Sequence, residues 1–151
     1  MDIRIEYLPM QSIVYMRRIG AYGIENFALM KRMKQWVQQK ELWNERTVIY
    51  GIAHDDETTP PEQCRYDVCL AVPSAFQVDS SVQKGELPAG EYAIFTIEHT
   101  SEAVQNFWNT FYGEVSKLEK QFGTARPLLE LYANVKINAG YCEFCVPTVS
   151  A

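Results

Sequence analysis

The sequence predicts an α+β fold: a duplicated β-α-β-β unit forming an antiparallel sheet with two helices and a ligand cleft at the pseudo-twofold junction. Three observations predict it. Runs of period-two alternation flank two amphipathic stripes of helical period. The order strand, helix, strand, strand occurs twice, over about residues 1–74 and 85–148. The halves also share landmarks. Val72-Pro73 and Val146-Pro147 each close a last strand, and Tyr50 and Tyr132 each sit near the end of the first strand after a helix. Two related halves leave a cleft where they meet, a common place for a ligand. No linker is long enough to separate two bodies, so residues 1–151 read as one domain.

The elements follow in order. Residues 2–19 alternate, with Ile3, Ile5 and Tyr7, then Ile13, Tyr15 and Arg17 on one face and Val14 and Met16 on the other. That is one or two strands, broken near Pro9. Gly20 and Gly23 punctuate the exit. From Ile24 to about Leu42, Phe27, Met30, Met33 and Trp36 or Val37 recur at three- to four-residue steps, which predicts a helix. Thr47–Ile52 and Tyr66–Val72 read as strands on either side of a polar loop, His54 to Gln63. After Pro73 a polar stretch with Gly85, Pro88 and Gly90 leads into the strand Glu91–Ile97. Thr100-Ser101-Glu102 offers a capping hydroxyl and a first-turn acid. The stripe Val104, Phe107, Trp108, Phe111, Val115, Leu118 and Phe122 then predicts a helix ended by Gly123 and Pro127. Leu128–Ala133 is a strand, Asn138-Ala139-Gly140 a turn, and Tyr141–Val146 a strand closed by Pro147.

Composition narrows the function. A chain of 151 residues buries a core without staples. With 14 Lys+Arg against 19 Asp+Glu the net charge is −5, which argues against direct nucleic-acid binding. Lys31, Arg32 and Lys34 read as a solvated helix face. No stretch approaches the roughly 18 to 20 apolar residues of a membrane span, and Met1-Asp2-Ile3-Arg4-Ile5-Glu6 is no export signal. The expectation is a cytoplasmic protein without a membrane partner, its Cys64, Cys69, Cys142 and Cys145 reduced.

Dinucleotide, phosphate-loop, nucleophile-elbow and zinc-protease motifs are absent, and no cofactor is expected. Cys142 and Cys145 lie three apart in a strand, so they face opposite ways and read as buried small hydrophobes, not a metal site. His54-Asp55-Asp56-Glu57 lacks calcium-loop spacing and reads as a solvated connection. Glu130 stands out. In Leu128-Leu129-Glu130-Leu131-Tyr132, alternation puts Leu129 and Leu131 on one face and Glu130 with Tyr132 on the other. Such a carboxylate is either on a wet sheet face or inside an aromatic cleft as the counter-charge to a cation. Tyr22, Tyr50, Tyr92, Phe95, Trp108, Phe111, Tyr112 and Tyr132 supply rings for either core or cleft.

Three segments carry a resemblance. They are Tyr50-Gly51-Ile52-Ala53-His54-Asp55-Asp56 followed by Cys64-Arg65-Tyr66-Asp67-Val68-Cys69, Gly90-Glu91-Tyr92-Ala93 with the tryptophan-bearing helix after it, and Arg126-Pro127-Leu128-Leu129-Glu130-Leu131-Tyr132. In order and over nearly all of the chain, they resemble the GyrI-like small-molecule-binding domain. The resemblance implies a cleft for lipophilic, often cationic or aromatic molecules. In multidrug-sensing relatives an acid on the strand matching Leu129–Tyr132 reaches into that cleft, and Glu130 holds the matching position. By resemblance in type and element, Tyr22, Tyr50, Trp108 and Tyr132 would wall the site, and Glu143 on the last strand would approach Glu130. With no DNA-binding domain ahead of Met1, the expectation is a stand-alone binding module, not a transcription factor in its own right.

Three readings follow. The first is a binder of hydrophobic or cationic small molecules, in sensing or sequestration linked to toxin or drug resistance. The second is a hydrolase of strained electrophiles, with Glu130 as general base on water and Tyr132 or Tyr50 polarising the substrate. The third is a protein-interaction role with gyrase as the partner, docking through acidic surface.

Overall fold

In the computed structural model, which describes residues 2–55, 58–116, 121–122 and 126–149, the elements run β1 (Asp2–Leu8), β2 (Gln11–Ile19), α1 (Ile24–Gln39), β3 (Val48–Ala53), β4 (Arg65–Ala71), β5 (Gln83–Leu87), β6 (Gly90–Glu98), α2 (Ser101–Ser116), β7 (Gln121–Phe122), β8 (Leu129–Ala133), α3 (Asn134–Asn138) and β9 (Tyr141–Val149). Eight strands make one antiparallel sheet in the order β1-β6-β9-β8-β3-β4-β2-β5, and the short β7 pairs with the far end of β9. The order is palindromic about the β8–β3 pair. Each half lends its first strand to the other: β1 pairs with β6, and β5 with β2.

The alternation read from residues 2–19 is the pleat itself. Val14 and Met16 pack under α1 with Leu29, Met33, Val37, Ile49 and Val68. On the same side of the other half, Ala93, Phe95, Phe144 and Val146 pack under Phe107 and Phe111 of α2. Ile13, Tyr50, Ile52, Cys69, Tyr92, Ile94, Leu129 and Cys145 build a second core on the opposite face. Each fully buried large side chain of these layers contributes about 1.5–3 kcal/mol. The start of α2 is capped as expected, by the Thr100 hydroxyl accepting from the Ala103 N–H at 3.1 Å. Cys142 and Cys145 are buried on opposite faces, one in each core, and Cys64 and Cys69 are buried free thiols.

Several expectations are corrected. Each half holds five main elements, because β5 is a strand that the polar run Gln83–Leu87 conceals; it is an edge, where one neighbour is enough. Phe122 belongs to β7, not to α2, whose described part ends at Ser116; Leu118 and Gly123 lie outside the described residues, as do Asp56 and Glu57. A short helix, α3, precedes the turn at Ala139-Gly140. β9 runs on through Pro147, past Cys145, its last partner on β8. A proline is tolerated there because β8 no longer flanks the strand. The shared landmarks are also out of register. The shift that carries Gln11–Ile19 onto Gly90–Glu98 carries Tyr50 onto Leu129 and Gly51 onto Glu130. Gly51 and Glu130 are themselves register partners across β3 and β8, so the pseudo-twofold axis passes between them.

Candidate functional site

The two helices do not meet over the centre of the sheet. Between them opens a cleft of about 770 Å³, floored by β3 and β8 and walled by Phe27 and Met30 of α1, Val104 and Trp108 of α2, and Ile137 of α3. Phe27 is 75% exposed and Trp108 41%, so both flank an open mouth with apolar surface. Trp108 is held from behind, edge-on to Phe107 at 5.1 Å and to Phe144 at 5.3 Å between ring centroids.

Glu130 sits on the floor. Its Oε1 accepts hydrogen bonds from the hydroxyls of Tyr66 at 2.8 Å and Tyr132 at 3.0 Å. Its Oε2 has no hydrogen-bond partner among the described residues, which leaves one acceptor for the cleft. Burial pushes the Glu130 carboxyl above its ordinary value, opposed by the two tyrosine bonds. The same burial, with the Glu130 charge second, pushes both tyrosine hydroxyls well up, so they stay protonated donors. The arrangement fixes a carboxylate in an aromatic enclosure. Both hydroxyls are committed to it and not offered to a substrate.

Close packing at this point requires Gly51. A Cβ there would lie 2.5 Å from Glu130 Oε1 and closer still to the Tyr66 hydroxyl. The axis residue of one half is therefore bare so that the other half's can be a carboxylate flanked by two tyrosines. His99 leans edge-on against Tyr132 at 5.8 Å between centroids. Burial first, and the charge of Lys34 second, hold His99 below the ordinary histidine value, so it is neutral at pH 7.

The structure brings Glu130, Tyr132 and Trp108 into one cleft. It does not bring in the other residues read from the sequence. Tyr22 lies behind Tyr66, edge-on at 6.4 Å, and its hydroxyl donates to the Arg65 carbonyl at 2.9 Å, outside the cleft lining. Tyr50 is one residue before Gly51 and so faces the opposite core, 3% exposed and bonded to the Gln11 amide. Glu143 does not approach Glu130. It is the register partner of Leu131, and its carboxylate accepts from Arg4 Nη1 and the Thr96 hydroxyl, both at 2.6 Å. Period-two alternation puts Tyr50 and Glu143 on the wrong face. Conversely, Lys34 is not on a purely solvated face but lines the cleft. Sequence reasoning missed Tyr66 and Gly51 as site residues. The signal for Gly51 was a glycine inside an otherwise apolar strand, a mark of close approach. Among the described residues no cluster of three metal-binding side chains forms, and no helix is long and apolar enough to cross a membrane.

This cleft, set at the junction of two related half-sheets, defines a small-molecule-binding domain. The family model of the GyrI-like small molecule binding domain matches residues 1–148, and the chain belongs to that family. The SPbeta prophage-derived putative transcriptional regulator YosT of Bacillus subtilis (strain 168) is 41% identical over 151 residues, covering 97% of this chain and 99% of its own. Among solved structures, the EcmrR C-terminal domain superposes with a TM-score of 0.74 at 13% identity, over 99% of this chain and 98% of that one. Against the EcmrR chain seen with DNA, this chain covers only 58% of the length. SAV2435, solved bound to tetraphenylphosphonium, superposes with a TM-score of 0.63 at 15% identity over 99% of this chain and 94% of that one.

Proposed function

We propose that this chain is a binding module for lipophilic, cationic or aromatic small molecules, acting in sensing or sequestration linked to toxin or drug resistance. The unit that binds is the whole chain, with halves of about 1–74 and 85–148 contributing one wall each. The observation that carries the reading is Glu130: a carboxylate held by two tyrosine donors at the floor of an aromatic-walled cleft, with Oε2 left to a ligand. A desolvated carboxylate attracts an organic cation strongly, and ring faces add cation–π attraction. Tetraphenylphosphonium, the ligand of the structurally similar SAV2435, is a cation of this kind.

The test is a titration of wild type and Glu130→Gln with tetraphenylphosphonium, followed by the fluorescence of the cleft residues Trp43 and Trp108. The expected outcome is saturable quenching in wild type and at least tenfold weaker binding in the variant, a loss of about 1.4 kcal/mol. Equal affinities in the two proteins would remove Glu130 from the site.

A further inference from the structure

The cleft has two poles. Among the described residues that line it, Glu130 is the one acid and Lys34 the one lysine or arginine. Glu130 belongs to the sheet floor, whereas Lys34 is exposed on α1. The helical spacing of Phe27, Met30 and Lys34 explains the placement: steps of three and four residues put all three along one stripe, the stripe that walls the cleft. No hydrogen bond or ion pair engages the Lys34 ammonium among the described residues, in contrast to Lys40, bound to Asp79 at 2.9 Å. After burial, Lys34 is the second cause that holds His99 below the ordinary histidine value, and the His99 ring leans on Tyr132. Thr100 and Ser101, at the positive end of α2, line the cleft beside His99.

A free ammonium on the lining repels every simple cation that enters past it, and it attracts an anionic group left at the mouth. A site for cations alone gains nothing from it. We infer that the cleft is built for zwitterionic ligands: an aromatic or lipophilic body whose basic nitrogen meets Glu130 at the floor and whose carboxylate meets Lys34 at the mouth. This rests on the cation-binding reading of Glu130 and sharpens it, because it sets the second charge of the ligand.

The test uses two dyes that differ in one group. Rhodamine 123 is a methyl ester and a net cation; rhodamine 110 is its free acid and a zwitterion. Wild type, Lys34→Gln, Lys34→Arg and Glu130→Gln are titrated with each, with a thermal melt of every variant to confirm folding. Wild type should bind the acid at least threefold tighter than the ester. Lys34→Gln should weaken the acid at least fivefold while leaving the ester unchanged or up to threefold tighter, and Lys34→Arg should restore the preference. Glu130→Gln should weaken both dyes together. A Lys34→Gln effect equal for the two dyes, or none, overturns the zwitterion inference and leaves the cation reading standing. No effect of Glu130→Gln on either dye, or no binding by wild type, overturns the cation reading and the inference with it.

Discussion

The two halves of this molecule share a backbone plan and differ at the residues on their common axis. The first half places Gly51 there and the second places Glu130. One strand away, the first half supplies Tyr66, whose counterpart in the second, under the shift that carries Arg65–Ala71 onto Tyr141–Pro147, is Cys142. Strict symmetry would set two carboxylates across a single rung of the ladder, where each would raise the other's cost of ionisation. It would also leave no room, since even a methyl group at position 51 crowds Glu130 and Tyr66. The repeated strand order leaves the cleft at its junction, and the break in symmetry explains its chemistry.

The strongest way to break this contrast is Gly51→Ala. The added Cβ forces apart the Tyr66–Glu130 hydrogen bond, and the floor must shift. Overpacking of this kind costs about 1–3 kcal/mol. Chemical denaturation should show that loss, and tetraphenylphosphonium affinity should fall at least tenfold. A Gly51→Ala protein with wild-type affinity and stability would mean that the floor has slack the packing does not suggest.

Elsewhere the halves keep a carboxylate at equivalent positions, and the comparison turns on its partners. Asp67 is 4% exposed and bonded by Arg17 at 2.7 and 2.9 Å and by His54 at 2.6 Å. Its counterpart Glu143, 2% exposed, relies on Arg4 and Thr96. Burial pushes both carboxyls up, but their partners prevail and hold both below the ordinary carboxylate values. Arg17→Ala should destabilise by about 2 kcal/mol, because it leaves a buried charge short of its cation. Arg4→Ala should cost about 1 kcal/mol, since Arg4 is the more exposed cation and Thr96 remains. Depressed carboxyls contribute stability that is present above their ordinary range and lost as pH falls through the native values. Urea midpoints from pH 7 downward should therefore fall in wild type and fall less steeply in Arg17→Ala.

Glu130 titrates with the opposite sign. Its carboxyl is raised in the fold, so its protonated form favours folding below the ordinary glutamate range, and that contribution is lost as pH rises through the raised value. The stability of wild type relative to Glu130→Gln should decline over that window. Cation binding needs the ionised form and should rise over the same window. Stability and affinity moving together with pH would mean that the Glu130 charge is satisfied within the fold and is not held for a ligand.

The sequence was most legible where a single physical pattern decided the outcome. The alternation of residues 2–19 and the stripe through Phe107 and Phe111 specified strands and a helix with the right faces. Glu130 was legible because a carboxylate amid leucines breaks the pattern of a core strand. Long-range register was not legible. Tyr66 reaches Glu130 from β4, two strands from β8 in the sheet, and no local spacing encodes that meeting. The face of Tyr50 is not legible from residue type either: side chains in a strand alternate, and the cleft-facing position belongs to its neighbour Gly51, which has no side chain to mark it.

That last point yields the mildest test. Tyr50 matches a cleft tyrosine in type and element, yet its hydroxyl is bonded to Gln11 at 2.8 Å on the far side of the sheet, where burial pushes its pKa up to about 12. Tyr50→Phe removes this neutral hydrogen bond and leaves the ring in place, a loss of about 1 kcal/mol in stability. Tyr132→Phe removes a stronger, charge-assisted bond to the Glu130 carboxylate, a loss of about 1.5–3 kcal/mol. Tyr50→Phe should therefore shift the urea midpoint less than Tyr132→Phe, and the two should separate further in ligand titration. Tyr50→Phe should keep wild-type affinity for tetraphenylphosphonium within twofold, whereas Tyr132→Phe should alter both that affinity and the pH at which binding is lost. With the Tyr132 hydroxyl gone, the carboxylate loses one of its two donors, so the Glu130 carboxyl should rise further and binding should fade at a higher pH. Matching titrations for the two variants would place the working face of the sheet on the wrong side.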